Sequence, residues 1–288
     1  MTLPPSPPLD PAMARSIMDI ARDVSGVALN PGRLDFLRGR LSPRLSALGC
    51  PDFPSYLRIL MADDGAGERQ HLAEALATHT TSFFRERRHY DWLEAEGLPR
   101  LIAAGVGRER EMVVWSAACS TGAELWSAAM VIHAQGRAEE GCLRWQGIGS
   151  DISARVLSRA RSAVFSPDEI DGIPEVFRQR YLMRSRATVP EGKHIRYRIV
   201  PELRERCRLL HLNLLALDTA PAFEADIVFL RNVLIYFDAA DQLAVAAAVA
   251  RRLRPGGFLL TGHAETLRRL LPGLVPVSTA IYQKTATP

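Results

Sequence analysis

The sequence lacks any apolar run close to the roughly 18 residues that a membrane-spanning helix needs. Its N-terminus, residues 1–9, is rich in proline and has neither the basic start nor the apolar stretch of a signal peptide. The four cysteines stand apart without a C-x-x-C pair, which argues against zinc ribbons and disulfide frameworks. We therefore expect a cytoplasmic protein with free thiols and no membrane insertion.

What is present is enough apolar sequence for a sizeable core. The 288 residues are 47% hydrophobic, which predicts one large domain or two modest ones. The net charge is only +4, but residues 173–211 hold ten Arg and Lys residues against four Glu. Such a basic segment could meet nucleic acid or an acidic protein surface, or could simply be solvated charge.

The first hundred residues have the apolar spacing of helices. Asp10 followed by Pro11 is typical of a helix start, and a second helix follows with leucines three or four residues apart from Leu34 to Leu48. Pro43 lies inside that helix and is expected to kink or shorten it. Further helices are predicted over residues 53–61, 68–77 and 89–104. We expect a helical domain over residues 1–85 and a linker helix over 86–110.

From residue 111 onward, strand and helix patterns alternate. Short apolar runs predict strands, and the segments between several of them have helical spacing. This alternation is typical of a mostly parallel, doubly wound sheet. The predicted strands span residues 111–118, 147–151, 206–214, 226–230, 258–261 and 278–284.

Residues suited to a nucleoside ligand follow four of these strands. In such sheets, ligands bind beyond the carboxyl ends of the strands. The first strand leads into seven small residues, Ser116 to Gly122, which allow a ligand close to the backbone but do not form G-x-G-x-x-G. Asp151 ends the second strand, where a ribose diol would need acceptors. Asn213-Leu214 and Arg231-Asn232 end the third and fourth.

Four ordered motifs resemble the CheR family of chemotaxis receptor glutamate methyltransferases, which use S-adenosylmethionine. They cover nearly the whole chain: Thr81-Ser82-Phe83-Phe84-Arg85, Trp115 to Gly122, Arg231 to Asp238, and Pro255 to Glu265. The resemblance implies an α/β fold, in which a Rossmann-like class I methyltransferase domain over residues 111–288 follows the N-terminal all-helical domain. It also implies a small antiparallel β-subdomain inserted at about residues 173–205.

The resemblance also implies site residues, matched position by position. His79 stands where the family commonly has Asn, Ala123 replaces the first Glu of a Glu-Glu-Pro-Tyr segment, and Ala264 replaces a Ser before Glu265. The expected catalytic contacts are Arg85 for the incoming carboxylate and Tyr236 for positioning. The other histidines show no ligand spacing, so no metal is expected. The expected S-adenosylmethionine contacts are His79, Thr81, Arg85, Glu124, Asp151, Asn213, Leu214, Arg231 and Asn232.

The implied partner is the cytoplasmic methylation helices of a chemoreceptor, which are acidic. Arg38, Arg40 and Arg44 on the second helix are the expected docking residues. We expect a monomer that binds no nucleic acid, because the basic segment has no interleaved aromatics and no known RNA module. Some family members grip a receptor pentapeptide at the β-subdomain. This chain is a few residues longer between Gly192 and Glu202 than their pattern, so tether binding is not expected.

Two alternatives stay open from the sequence. The chain could be a cofactor-binding signalling module with weak or no catalysis, or a methyltransferase that acts on another substrate.

Overall fold

The computed structural model describes most of the chain, which divides into two compact units. The described residues are 7–25, 34–76, 79–138, 143–185, 195–265, 267 and 271–285. The helical unit comprises Met1–Thr78 with Tyr236–Gln242, and the sheet unit comprises His79–Ile235 with Leu243–Pro288. Among the described residues, no helix combines the length and the apolar character needed to cross a membrane.

The N-terminal part of the helical unit contains four helices. They are α1 (Pro11–Ser25), α2 (Leu34–Leu48), α3 (Phe53–Met61) and α4 (Ala66–Leu76). The Asp10 carboxylate accepts hydrogen bonds from the Ala12 and Met13 amides, at 2.6 and 3.1 Å, and so caps α1 as its sequence predicts.

Pro43 lies inside α2 and does not end it, so the expected shortening is wrong. The helix continues for five residues beyond it to Leu48. A proline removes one helical amide and frees the carbonyl four residues earlier, here that of Gly39. Because Gly39 is exposed, water can satisfy this carbonyl. Residues 26–33, which precede α2 in the sequence, lie outside the described part.

A buried polar cluster accompanies the apolar core of this unit. The core consists of leucine, isoleucine and aromatic side chains from all four helices. Glu68 on α4 is 8% exposed, and its carboxylate accepts hydrogen bonds from the Arg44 guanidinium and from the Tyr56 hydroxyl at 2.9 Å. Burial raises the pKa of Glu68, but the bonds from Arg44 and Tyr56 outweigh it and hold the pKa below its usual value.

The sheet unit contains the alternating elements. Its helical segments begin with α5 (Arg88–Trp92), a π turn (Leu93–Gly97) and α6 (Leu98–Ala103), whose apolar side chains lie in its core. The later helices are α7 (Ala123–Ala138), α8 (Ala154–Ser162), α9 (Glu175–Tyr181), α10 (Pro201–Arg204) and α11 (Ala239–Arg252), of which α11 has residues 239–242 in the helical unit. Its described strands are β1 (Met112–Ser116), β2 (Trp145–Asp151), β3 (Val164–Phe165), β4 (Leu182–Arg184), β5 (Tyr197–Ile199), β6 (Cys207–His211), β7 (Ala225–Leu230), β8 (Leu253–Thr261), β9 (Leu274–Ser278) and β10 (Ile281–Lys284).

Seven of these strands form one sheet in the order β6-β2-β1-β7-β8-β10-β9. The first five are parallel, and β10 and β9 close the edge as antiparallel strands. Strands β1 and β7 are buried along their whole length, which explains their nearly continuous apolar sequence. The mostly parallel, Rossmann-like sheet is therefore confirmed. The single last strand expected over residues 278–284 is instead a hairpin of β9 and β10, with Ala280 at positive φ in its turn.

A separate antiparallel sheet of three strands has the order β3-β5-β4. Its central strand β5 alternates between the two faces, with Ile199 buried and Arg198 exposed. The small antiparallel subdomain expected from the resemblance is thus present. Within the segment between Gly192 and Glu202, which was expected to be longer than in tether-binding members, residues 192–194 lie outside the described part.

The Glu68 cluster predicts how the helical unit responds to substitution. Glu68→Ala leaves the Tyr56 hydroxyl and the Arg44 guanidinium without their acceptor, and should lower the free energy of unfolding by about 1–3 kcal/mol in urea denaturation. Because the folded pKa is lowered, this contribution is present above an unfolded pKa of about 4.3 and is lost as pH falls through the folded value. The exposed Asp64→Ala is the control. Equal stability of the two variants at pH 7 would contradict the role of Glu68.

Candidate active site

The loop that follows β1 lies at the carboxyl edge of the sheet and is held by its neighbours. The Ala117 amide donates to the Phe229 carbonyl at 2.9 Å, and the Cys119 amide donates to the Ser150 carbonyl at 2.8 Å. Gly122 has a φ of +93°, and a Cβ atom there would lie 2.6 Å from Trp126 Nε1. Only glycine fits this turn, because its φ is positive and a Cβ atom would clash with the Trp126 side chain.

Asp151 ends β2 and contacts that loop. Its side chain is buried, and its two oxygens accept hydrogen bonds from the Ser120 amide at 2.9 Å and the Ser153 amide at 3.0 Å. Burial is the main cause of its raised pKa, while the amide bonds and His79 oppose that shift. The carboxylate therefore sits where a ribose diol would be bound in a sheet of this kind.

Arg231, at the end of β7, is the most densely contacted side chain of this edge. Its side chain is only 1% exposed. The guanidinium donates to the Tyr90 hydroxyl at 3.2 Å and to the Arg85 carbonyl, and it pairs with Glu86 and Glu124 at 3.3 Å each. One cation thus holds the segment around residues 85–90, the first turn of α7 and the end of β7 together.

The two carboxylates beside Arg231 differ in their electrostatic environment. Burial raises the pKa of Glu124, although Arg231 and a 2.7 Å hydrogen bond from Ser116 Oγ oppose this. Burial also acts on Glu86, but Arg231 and neighbouring histidines outweigh it and lower the pKa. The pKa of Arg231 is raised because these acids outweigh its own desolvation. Glu86 is therefore the more firmly ionised of the two.

Asn232 follows Arg231 in a left-handed conformation with a φ of +56°. Its amide donates to the carboxylate of Glu265, which also accepts from the Ile235 amide at 3.2 Å and the Gly262 amide at 3.0 Å. The Asn232 Nδ2 atom lies 3.4 Å from Glu86 Oε1. Burial raises the pKa of Glu265, and the amide bonds oppose the shift. Glu265 therefore shapes the loop after β7.

Residues 79–86 reach the same part of the sheet unit. The His79 carbonyl accepts a hydrogen bond from Ser120 Oγ at 2.8 Å, which ties this segment to the loop after β1. Thr81 is half-buried, and Arg85 is exposed, with Nη1 donating to the Thr80 carbonyl at 3.2 Å. Arg85 is therefore accessible, whereas the side chain of Arg231 is buried.

Asn213 and Leu214 follow β6. Asn213 Oδ1 accepts from the Leu215 amide at 3.0 Å and caps a 3-10 turn over Leu214–Thr219, in which Leu214 is buried. The structure thus brings eight of the nine predicted cofactor residues to strand ends or to segments bonded to them. The ninth, Thr81, lies between His79 and Arg85 in the same unit.

The other predicted residues belong to the helical unit. Tyr236 is half-buried and ends a 3-10 turn over Leu234–Tyr236. Arg38 is exposed and pairs with Asp35 at 2.9 Å, and the Arg40 guanidinium lies 5.1 Å from the centre of the Phe36 ring. Arg44 differs, because its guanidinium is held by the buried Glu68 instead of being free for a partner.

Glu86, Tyr90 and Glu265 hold the site residues in place and were not predicted as site residues. Glu86 follows Arg85 directly, and Glu265 is the last residue of the last recognised motif. Their positions in the sequence could therefore have indicated a role at the site. Tyr90 carried none, since an aromatic residue at helical spacing is typical of a core.

Comparisons with known proteins match both units. The family model described as "CheR methyltransferase, SAM binding domain" matches residues 79–279, and "CheR methyltransferase, all-alpha domain" matches residues 14–77. The chemotaxis protein methyltransferase of Escherichia coli (strain K12) is 35% identical over 262 residues, which cover 91% of this chain and 87% of that protein. Chemotaxis protein methyltransferase 2 of Pseudomonas aeruginosa is 34% identical over 243 residues, covering 84% and 82%. The chain belongs to the CheR methyltransferase family.

Proposed function

We propose that this protein transfers methyl groups from S-adenosylmethionine to glutamate side chains of a chemoreceptor, and so adjusts receptor signalling during adaptation. The observation that carries the proposal is the set of buried polar side chains at the carboxyl ends of adjacent parallel strands, inside the segment that matches the SAM-binding family model. The product of the cofactor would be S-adenosylhomocysteine.

The residues present fit this cofactor. Asp151 offers carboxylate lone pairs at the position expected for a ribose. The indole Nε1–H of Trp126 beside Gly122 is buried and has no hydrogen-bond partner among the described residues. A buried donor without a partner is costly, so an acceptor on a ligand at this loop would satisfy it.

The proposed reaction requires no general base from the protein. Bound S-adenosylmethionine supplies a methyl group activated on a positively charged sulfur. A glutamate side chain has an ordinary pKa of about 4.3 and is already ionised at neutral pH, so no general base is needed. The task of the protein is to hold the carboxylate in line and exclude water.

Arg85 is our candidate for orienting the incoming carboxylate. It is exposed at this edge, whereas Arg231 already contacts two acids, a hydroxyl and a carbonyl. A cation that paired too tightly with the substrate would stabilise the ground state, and an exposed guanidinium avoids this. Tyr236 is our candidate for positioning the substrate.

Receptor encounter is assigned to α2. Arg38 and Arg40 lie on its partly exposed side. Arg38 pairs with Asp35 and Arg40 lies over the Phe36 ring, and both of these partners belong to α2 itself. Acidic methylation helices would be attracted to this surface. Arg44 contributes less to docking than the sequence alone suggests, since its charge is balanced by Glu68.

The decisive experiment is incubation of the full chain with methyl-labelled S-adenosylmethionine and membranes that contain chemoreceptors. Base-labile label on a receptor supports a protein-glutamate O-methyltransferase. Cofactor binding without any label would instead indicate a signalling module, and label on another macromolecule would indicate another substrate.

Asp151 provides the first test of the cofactor site. Asp151→Ala should weaken S-adenosylmethionine binding by about 1.5–3 kcal/mol in calorimetry, as for a lost charged hydrogen bond. Asp151→Asn keeps the size of the side chain but removes its charge. This variant therefore distinguishes the effect of the lost charge on binding from the effect of lost packing. Thermal unfolding checks that both variants are folded. Unchanged affinity in a folded variant would exclude the ribose role.

Arg38 and Arg40 provide the test of docking. The double reversal Arg38→Glu/Arg40→Glu should slow receptor methylation about tenfold at low salt, and the difference should shrink as salt screens the charges. Reversal of Arg58, an exposed arginine on α3, is the matched control. If the double variant and the control methylate at the same rate, α2 is an ordinary solvated surface.

We also propose that this protein reaches its receptor without a C-terminal pentapeptide tether. The support is the sequence between Gly192 and Glu202, which is longer than the pattern of tether-binding members. Titration of a labelled pentapeptide should show no saturable binding. Binding in the micromolar range would overturn the proposal, because a tether raises effective concentration only if it is bound.

A further inference from the structure

Three side chains with metal-ligating atoms meet beside the cofactor edge of the sheet unit. Their ligand atoms, from Glu86, His89 and His263, all lie within 4.8 Å of one another. Glu86 precedes α5, His89 lies in α5, and His263 comes from the loop after β8. The two imidazole rings stand edge to face with centroids 5.0 Å apart. Only the fold brings His263 to the other two.

His89 is the unexplained residue of this group. It is 1% exposed, and neither ring nitrogen makes a hydrogen bond of normal geometry, although the Thr279 backbone is close enough to influence its pKa. Its Nδ1 atom lies 3.5 Å from Glu86 Oε2. Buried polar atoms are nearly always satisfied, so a buried imidazole whose Nδ1 faces a carboxylate without a hydrogen bond of normal geometry indicates a missing partner.

The protonation states suit a cation. Burial, with help from Arg231, lowers the pKa of His89 to about 4, so the ring is neutral at pH 7 with a free lone pair. The lowered pKa of Glu86 keeps its carboxylate ionised. A metal therefore has no proton to displace from either group at neutral pH.

Arg231 is the group that opposes a second cation here. It pairs with Glu86 at 3.3 Å, and a metal on Glu86 would compete with that contact. Glu124 lies at the same distance from the other terminal nitrogen of Arg231, so the guanidinium keeps one carboxylate partner if Glu86 turns to a metal. The site thus offers two acids for one guanidinium.

We propose that Glu86, His89 and His263 form a binding site for one divalent transition metal ion such as Zn²⁺. Two imidazoles and one carboxylate are a ligand set that borderline metals of this kind accept, with water in the remaining positions. The site differs from the S-adenosylmethionine contacts, and its existence does not depend on the proposed methylation. The histidine spacing in the sequence gave no sign of it.

The test uses the full chain after treatment with a chelator and removal of the chelator. Calorimetric titration with Zn²⁺ should show one equivalent bound, and Co²⁺ should give visible absorption bands of a nitrogen- and oxygen-ligated ion. His263→Ala removes an exposed ligand and should weaken Zn²⁺ binding at least about tenfold. His71→Ala, which removes an exposed histidine on α4, is the matched control and should bind as the unaltered chain does.

His263→Asp separates the loss of a ligand from the loss of structure. A carboxylate in this position should restore much of the Zn²⁺ affinity that alanine removes. Absence of stoichiometric binding to the unaltered chain would overturn the proposal. Equal affinity of the His263→Ala and His71→Ala variants would overturn it as well, since the metal would then be bound elsewhere.

Discussion

The buried guanidinium of Arg231 is the constraint on which the active edge depends. A charge taken out of water is tolerated only when it is paired and hydrogen-bonded, and Arg231 has acids on both sides and a hydroxyl and a carbonyl as acceptors. These partners come from α5, from the residues before it and from α7. Pairing one cation therefore fixes three chain segments around the end of β7.

Backbone strain is concentrated where these segments meet. Six non-glycine residues of the described chain have positive φ, and four of them, Phe84, Glu86, Ser120 and Asn232, lie at this edge. Such conformations persist only when the surroundings hold them, and they are common in active sites. Here, three of the four strained amides donate to a buried side-chain oxygen: Phe84 to Ser127, Ser120 to Asp151, and Asn232 to Glu265.

The apolar periodicity of the sequence was sufficient to predict the helical unit and a mostly parallel sheet. The ends of the predicted strands were sufficient to identify candidate site residues such as Asp151 and Arg231. The same patterns could not show that Arg44 is held by Glu68, or that Glu86, His89 and His263 meet. Those contacts join residues far apart in the chain or depend on a left-handed turn, and neither has a periodic signature. The β9–β10 hairpin was missed for a related reason, because its turn at Ala280 contains no glycine or asparagine.

Asp151 also bears on how a ligand would enter. Its oxygens already accept the Ser120 and Ser153 amides, and the Ile152 amide also lowers its pKa, yet a carboxylate has about four acceptor positions. A diol can therefore bind to the remaining lone pairs without breaking either amide bond. The acceptor is oriented before the ligand arrives, so recognition at this point should require little reorganisation, and more of the interaction energy is retained as affinity.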